Sequence, residues 1–422
     1  MNLKNSSILS ILLLALPLVA VCQEMDDRIY IETIKTVGLY PGDPRGDDPR
    51  RMLNQPIIPL NSNLKLTLEF DELSNHGKNF RVKLFHCNAD WSRSALSDVE
   101  FTYEYNDYPI TEFQASFSTK VPYYHYVFQV PKVRVSGNYV LVVYEQQQPV
   151  LSRRFMVYDP KVRVSGQVRA SVGIAEQRTA QQIDFSIEHK GFPLTSPQTD
   201  LQVVIRKNFR WDQSKTGFKP NSVNPFDQTL AYQFFNLENN FPGGNEFRYF
   251  DSRTTTGRGF GIAAIERGDD YTELILQTDQ PRVNSPYFQS DDFNGQYIVD
   301  HRESRNGSLQ ADYTPVIFTL KMNEIPNREV YVNGAFNLWQ LNELNQMHYD
   351  HDRQVYEAMI VLKQGVVNYE YVVFDGDKIE DGAIEGNFSA TENDYDLLIY
   401  HRPPAGRADQ LIGYQTFEWN RR

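Results

Sequence analysis

Cysteine is almost absent from this sequence. Of 422 residues only Cys22 and Cys87 carry a thiol, so no framework of disulfides can staple the fold. Cys87 reads as a small buried hydrophobe. Histidine is also scarce: eight are scattered along the chain, and only His348 and His351 lie close, in the segment HYDHD. Two imidazoles three residues apart in a turn do not face one metal ion, so a solvated hairpin is expected there. Clusters of Lys and Arg are missing, and the net charge is -12. Without a basic face to displace counterions, nucleic acid is excluded as a partner. Apolar runs long enough to cross a bilayer are missing as well, the longest covering residues 8–21.

That run follows a basic start, Met1-Asn2-Leu3-Lys4, and gives way at once to polar residues, which is the pattern of a secretory signal over residues 1–22. A lipoprotein would keep Cys22 as its first residue, but Val21 stands where that signal wants Gly, Ala or Ser. Cleavage before Gln23 without a lipid is the favoured reading.

Catalytic signatures are absent too. Residues 290–295, SDDFNG, open like a calcium loop, yet His301 occupies the position of the closing bidentate Glu. GRGFG at 257–261 lacks the spacing and the strand-turn-helix context that cradle pyrophosphate, and no G-x-S-x-G elbow presents a nucleophile. Strands do not alternate with helices as a catalytic barrel requires. No enzyme activity, no cofactor and no metal site is expected.

What the chain has in quantity is β-pattern: 25 Tyr, 26 Phe, and alternating runs bounded by Gly, Pro and Asn. Its length suits about three domains. The expected fold is all-β, tandem immunoglobulin-like β-sandwiches ending in an early-set-type sandwich. The expected division is a signal at 1–22, an N-terminal sandwich at 23–158, a middle sandwich at 159–312, an early-set-like sandwich at 313–402 and a tail at 403–422.

In the first unit Leu64, Leu66, Leu68 and Phe70 alternate with polar residues, as do Phe80, Val82, Leu84 and His86, which predicts two strands with one wet face each. YVLVVY at 139–144 is apolar on both faces and should be central. The proline- and glycine-rich stretch between Ile34 and Ile57 reads as an exposed loop. PKVRVSG occurs twice, at 131–137 and 160–166, and predicts two similar edge strands opened by proline. Ile183, Phe185 and Ile187, then Leu201, Val203 and Ile205, alternate in the middle unit. FGIAAIE at 260–266 and YTELILQ at 271–277 flank a hairpin turn, Arg267-Gly268-Asp269-Asp270. The tail carries Leu411, Ile412, Tyr414, Phe417 and Trp419, and is expected to add a strand to a sheet of its own protein or to anchor a partner.

From Arg328 to Asp377 the order is strand, G-x-F-N-x-W, polar hairpin, strand, turn, Tyr-rich strand, D-G. This resembles the early-set immunoglobulin-like modules that bind glycogen, in which two tryptophans stack on a glucan. Trp339 matches the first of them. The second is replaced by Lys378, and a basic residue by Glu370. A single ring cannot sandwich a sugar chain, so Trp339 is expected to pack on its own sheet or at a domain contact, glucan binding being the alternative.

A wider resemblance covers nearly the whole chain. HCNADW (86–91), LSRRFMV (151–157), NFPGGNEFRYFD (240–251), DDFNGQYIV (291–299), GAFNLW (334–339) and DQLIGYQ (409–415) stand in the order seen in the type IX secretion system plug protein family. The resemblance implies a non-enzymatic periplasmic protein that binds the outer-membrane translocon barrel and seals its periplasmic opening at rest. It transfers no contact residues.

Overall fold

The structure is a computed structural model and describes residues 25–43, 48–304 and 306–421. The expected signal, with Cys22, lies outside the described residues. The described chain is nearly all β, and its sheets form tandem sandwiches.

The first sandwich sets a six-stranded sheet against a four-stranded one. The six-stranded sheet runs in the order Arg28–Ile29, Gln148–Tyr158, Gly137–Glu145, Phe80–Cys87, Tyr108–Pro109, with Ile57–Pro59 added in parallel to Gln148–Tyr158. The four-stranded sheet is Ile34–Pro41, Leu66–Glu72, Tyr124–Gln129, Glu112–Ala115. Tyr139, Leu141 and Val143 meet Leu66, Leu68 and Phe70 in the core between them.

The strand predicted to be central is central, and alternation explains why both of its faces are dry. Val140 and Val142 point out of the first core into a second cluster with Met156, Val204, Leu398, Tyr400 and Leu411. The outer face of one sandwich is thus glued to the outer face of the next, and four sheets stack in series.

The second sandwich sets Arg163–Ala170, Ala180–Glu188, Thr229–Tyr232, Ser222–Asn224 and the short Asn240–Pro242 against a second sheet in the order Ser214–Thr216, Leu201–Lys207, Asn393–His401, Gln410–Trp419. The tail therefore adds a strand to its own protein. The last unit is a nine-stranded sheet curled around Val316, Phe318, Val330, Val332 and Val373.

Strand pairing does not follow the linear division at 312. Leu201–Lys207 pairs with Asn393–His401 across 190 residues, from Arg206 to Asp396. Conversely Arg248–Asp251 and Tyr297–Val299 pair with Gly365–Phe374, and the hairpin of Ile262–Arg267 and Thr272–Leu276 joins Tyr313–Lys321. Each of the last two units is completed by a segment of the other. The reason is that apolar faces pair by fit in space, and period-two patterns carry no information about which strand is the neighbour.

Three local expectations are corrected. Leu66–Glu72 is buried on both faces, because Thr67, Glu69 and Asp71 are roofed by other parts of the chain. The supposed loop after Ile34 begins as the strand Ile34–Pro41 and continues into a short helical turn, Pro49–Leu53. Its Pro41 ends the ladder instead of interrupting it, and Gly38 leaves room for Met52. The two PKVRVSG copies differ: the second enters the edge strand Arg163–Ala170, whereas residues 131–136 run irregularly, held by one bridge from Val133 to Thr102.

Candidate functional site

Charged side chains at alternating strand positions should meet water, but several here meet each other at the joints between units. The first joint is carried by Asp71. One carboxylate oxygen lies 2.7 Å from His125 Nδ1, and the other accepts from Lys363 Nζ at 2.5 Å and from the Tyr313 hydroxyl at 2.7 Å. Lys363 also donates to the Ser308 carbonyl at 2.7 Å. Burial opposes the charge on Asp71, but the Lys363 ammonium and the hydrogen bond from His125 outweigh it and hold the carboxyl below the usual range. Beside it Tyr40 and Arg51 both donate to Glu69, at 2.6 and 3.1 Å. Tyr123 donates to the carbonyls of Ser308 and Ala311. The wet face predicted for this strand is the seam to the last unit.

The second joint lies between the two sandwiches. Arg206 grips Asp396 with two hydrogen bonds, of 3.0 and 2.5 Å, both side chains almost wholly buried. Its guanidinium lies 4.4 Å from the centre of the Trp211 ring, which meets Trp91 edge-on at 4.8 Å, and Arg154 covers Trp91 at 4.4 Å. HCNADW and DQLIGYQ are stitched directly: the Ala89 N–H donates to Asp409 at 3.0 Å and the Asp409 N–H to Asn88 at 3.2 Å. Cys87 is buried at this joint, and burial pushes its thiol up to about 12, so it is an inert hydrophobe there.

The third joint contains Trp339. Arg210, buried, pairs with Asp212 at 2.6 Å and with Glu370 at 2.7 Å, and its guanidinium lies 3.8 Å from the centre of the Trp339 ring. Phe247 meets that ring at 5.9 Å, and Gly295, at φ +81°, approaches it so closely that a Cβ would overlap it. Glu370, which stands where the sugar-binding modules have a basic residue, is thus the counter-ion of an arginine that covers the tryptophan. The resemblance to glycogen-binding modules gains no support, and Trp339 packs at a contact between units. Replacing Trp339 by Ala is expected to lower stability by about 3–5 kcal/mol, as loss of a large packed ring does, while an affinity gel carrying soluble glucan retards neither protein. Retardation of the unaltered protein alone would reinstate the sugar reading.

Asp292, in the segment that opens like a calcium loop, accepts from the N–H groups of Phe247 (2.5 Å) and Asn294 (2.6 Å). Burial pushes its carboxyl up to about 7 against those donors. It ties DDFNGQYIV to NFPGGNEF. In the latter, Phe241 and Phe247 are buried, Gly244 has φ +69°, and Gly243 has no room for a Cβ beside the Phe388 carbonyl. His348 lies on the strand Gln346–Asp350 and His351 in the exposed turn after it, near Glu324. Among the described residues, no group of three or more His, Cys, Asp or Glu is arranged to hold a metal ion.

Sequence reasoning did not find Asp71, Lys363, Arg206, Asp396 or Arg210. One signal was available: Asp396 sits in DYDLLIY, whose following residues are apolar on both faces, so a charge there had to be buried and paired. The surface away from these joints carries isolated apolar tips, among them Ile174, 97 % exposed, and Phe226, 95 % exposed, on the second sandwich.

Residues 34–159 match the family described as the type 9 secretion system plug protein 1st domain. A crystal structure of a hypothetical protein from Parabacteroides merdae superposes with a TM-score of 0.88 at 30% identity, covering 93% of this chain and 99% of that one. The C-terminal domain of the Streptococcus pyogenes antigen I/II-family protein AspA aligns over 91% of this chain and 99% of its own, but at 6% identity and a TM-score of 0.17, too low to bear on the fold. No curated protein matches.

Proposed function

Residues 34–159 carry the first domain of the type 9 secretion system plug protein family, and on that premise we propose that the chain binds the outer-membrane translocon barrel of this system from the periplasm and closes the barrel's opening while no cargo passes. The family is one of structural plug domains and not of enzymes, and the reading extends to this chain: it acts by bulk and shape.

The observation that carries the proposal is the way the units are fused. An obstruction at a wide pore must resist deformation more than it must react. Here sheets stack face to face through Val140, Val142, Leu398 and Tyr400, and the last two units trade strands. Neither of those units can swing away without breaking a ladder of backbone hydrogen bonds. The sequence segments that mark the family lie in or beside these joints, which accounts for their presence without any reactive role. Exposed tips such as Ile174 and Phe226 offer apolar contact to a partner.

The test is a pull-down of the tagged protein from detergent-solubilised outer membranes, paired with an envelope-leak assay in a strain lacking it. The translocon barrel is expected in the eluate, together with increased entry of a large antibiotic after deletion. A barrel that is never retained, with unchanged permeability, would refute the plug reading. Retention of the protein on a glucan matrix would favour the carbohydrate-binding alternative.

A further inference from the structure

A concavity with an apolar lining lies between the first sandwich and the last unit, beside the Asp71 joint. It has a volume of about 360 Å³ and is walled by residues 29–36, by the loop 336–345 and by the strand Val355–Lys363. That volume falls within the roughly 300–1,000 Å³ of small-molecule sites, which favour contacts between domains. Ile31, Phe336, Leu344 and Ile360 give it an apolar lining. Leu344 is 45 % exposed at the edge.

Lys35 is the unexplained group. In the ladder it stands opposite Asp71, so the two side chains leave the sheet on the same face, toward the last unit. Asp71 is already matched by Lys363 and His125. Lys35 lines the cleft, and among the described residues no carboxylate or carbonyl accepts a hydrogen bond from its ammonium. The other charged residues of the cleft are Glu32, Glu343 and Lys363, the last engaged below the floor. Burial weakens the ammonium and Glu32 only partly restores it. A half-desolvated cation beside an apolar surface calls for an anion attached to an apolar body.

We propose that this cleft binds a single-chain amphiphile with an anionic head, its chain lying on Ile31, Phe336, Leu344 and Ile360 and its head against Lys35. The strand Val355–Lys363 pairs with Tyr313–Lys321 along its whole length and with Gln346–Asp350 over 355–357, and the Val37 carbonyl on the neighbouring strand is taken by Arg153 and Tyr297. A saturated chain has no polar groups to satisfy.

The purified full chain is to be titrated calorimetrically, below micelle-forming concentrations, with dodecanoate, dodecyl phosphate, lysophosphatidylglycerol and dodecanol. One saturable site is expected, with dodecanoate and dodecyl phosphate binding at least roughly tenfold tighter than dodecanol, the value of one charge-assisted contact. Lys35→Gln should abolish that preference without changing dodecanol binding, and Leu344→Asp should weaken all the probes that bind. Lysophosphatidylglycerol matching dodecanoate would identify a membrane lipid as the source of the ligand, and its exclusion a free acid. No saturable binding of any anionic probe, or unchanged dodecanoate affinity in a folded Lys35→Gln protein, overturns the proposal. Because the readout uses isolated protein, neither result depends on binding of the barrel.

Discussion

Asp71→Ala is expected to lower the unfolding free energy by about 3–5 kcal/mol, the range for removing one partner of a buried ion pair. The change strands the Lys363 ammonium, which keeps the Ser308 carbonyl and the face of the Tyr123 ring but no anion beside it, and leaves the Tyr313 hydroxyl with Thr36. Pairing Asp71→Ala with Lys363→Met removes the stranded charge, so the double variant should lie closer to the unaltered protein than the single one. Urea denaturation of the three proteins measures both differences, and a single variant within about 1 kcal/mol of the original, as for an exposed pair, would mean that the joint is not under this load. The sign with pH follows from the same contacts. The Asp71 carboxyl is held below its ordinary value, so its contribution is fully present above the unfolded value of about 3.9 and is lost as pH falls through the lower folded value. Asp71→Ala should therefore flatten that part of the acid limb.

Arg206→Met is expected to be comparably damaging, again by about 3–5 kcal/mol at neutral pH, with the opposite dependence on pH. Without the guanidinium the Asp396 carboxylate is buried and unpaired, and the Trp211 ring loses the cation lying over it. Burial already pushes the Asp396 carboxyl up, with Arg206 pulling it down. In the variant its folded pKa rises further above the unfolded value. A raised folded pKa stabilises below the unfolded value, and that stability is lost as pH rises through the folded value. The variant should thus be closest to the original near pH 4 and fall behind steadily toward pH 8. Adding Asp396→Leu should remove this slope. Thermal melting at several pH values decides it, and a deficit independent of pH would show that the lost contact is packing and not charge.

These two joints explain what was and was not legible in the chain. The apolar rows of Leu66–Glu72, Gly137–Glu145 and Leu201–Lys207 were readable because period-two alternation follows from backbone geometry alone. Their polar rows were readable only as wet, since alternation identifies two faces and not what covers the second. At residues 139–144, apolar on both faces, the sequence itself announced a second covering, and residues 397–400 offered the same signal. Trp339 followed the same logic. Its missing tryptophan partner argued against a sugar platform, and its actual neighbours, Arg210 and Phe247, come from a segment about a hundred residues earlier.

By itself the sequence determined the all-β class, the places of most strands, the lack of any disulfide framework and, through its ordered motifs, a family resemblance that residues 34–159 bear out. Tertiary structure alone decided which strands share a sheet, which charges are buried, and where the units touch. The heptapeptide PKVRVSG makes the difference concrete: one copy enters a ladder beside Ala180–Glu188, and the other crosses irregularly before Gly137–Glu145. Seven identical residues carry one set of local preferences, worth at most about 1 kcal/mol each in a strand, and the faces they meet in three dimensions outweigh them.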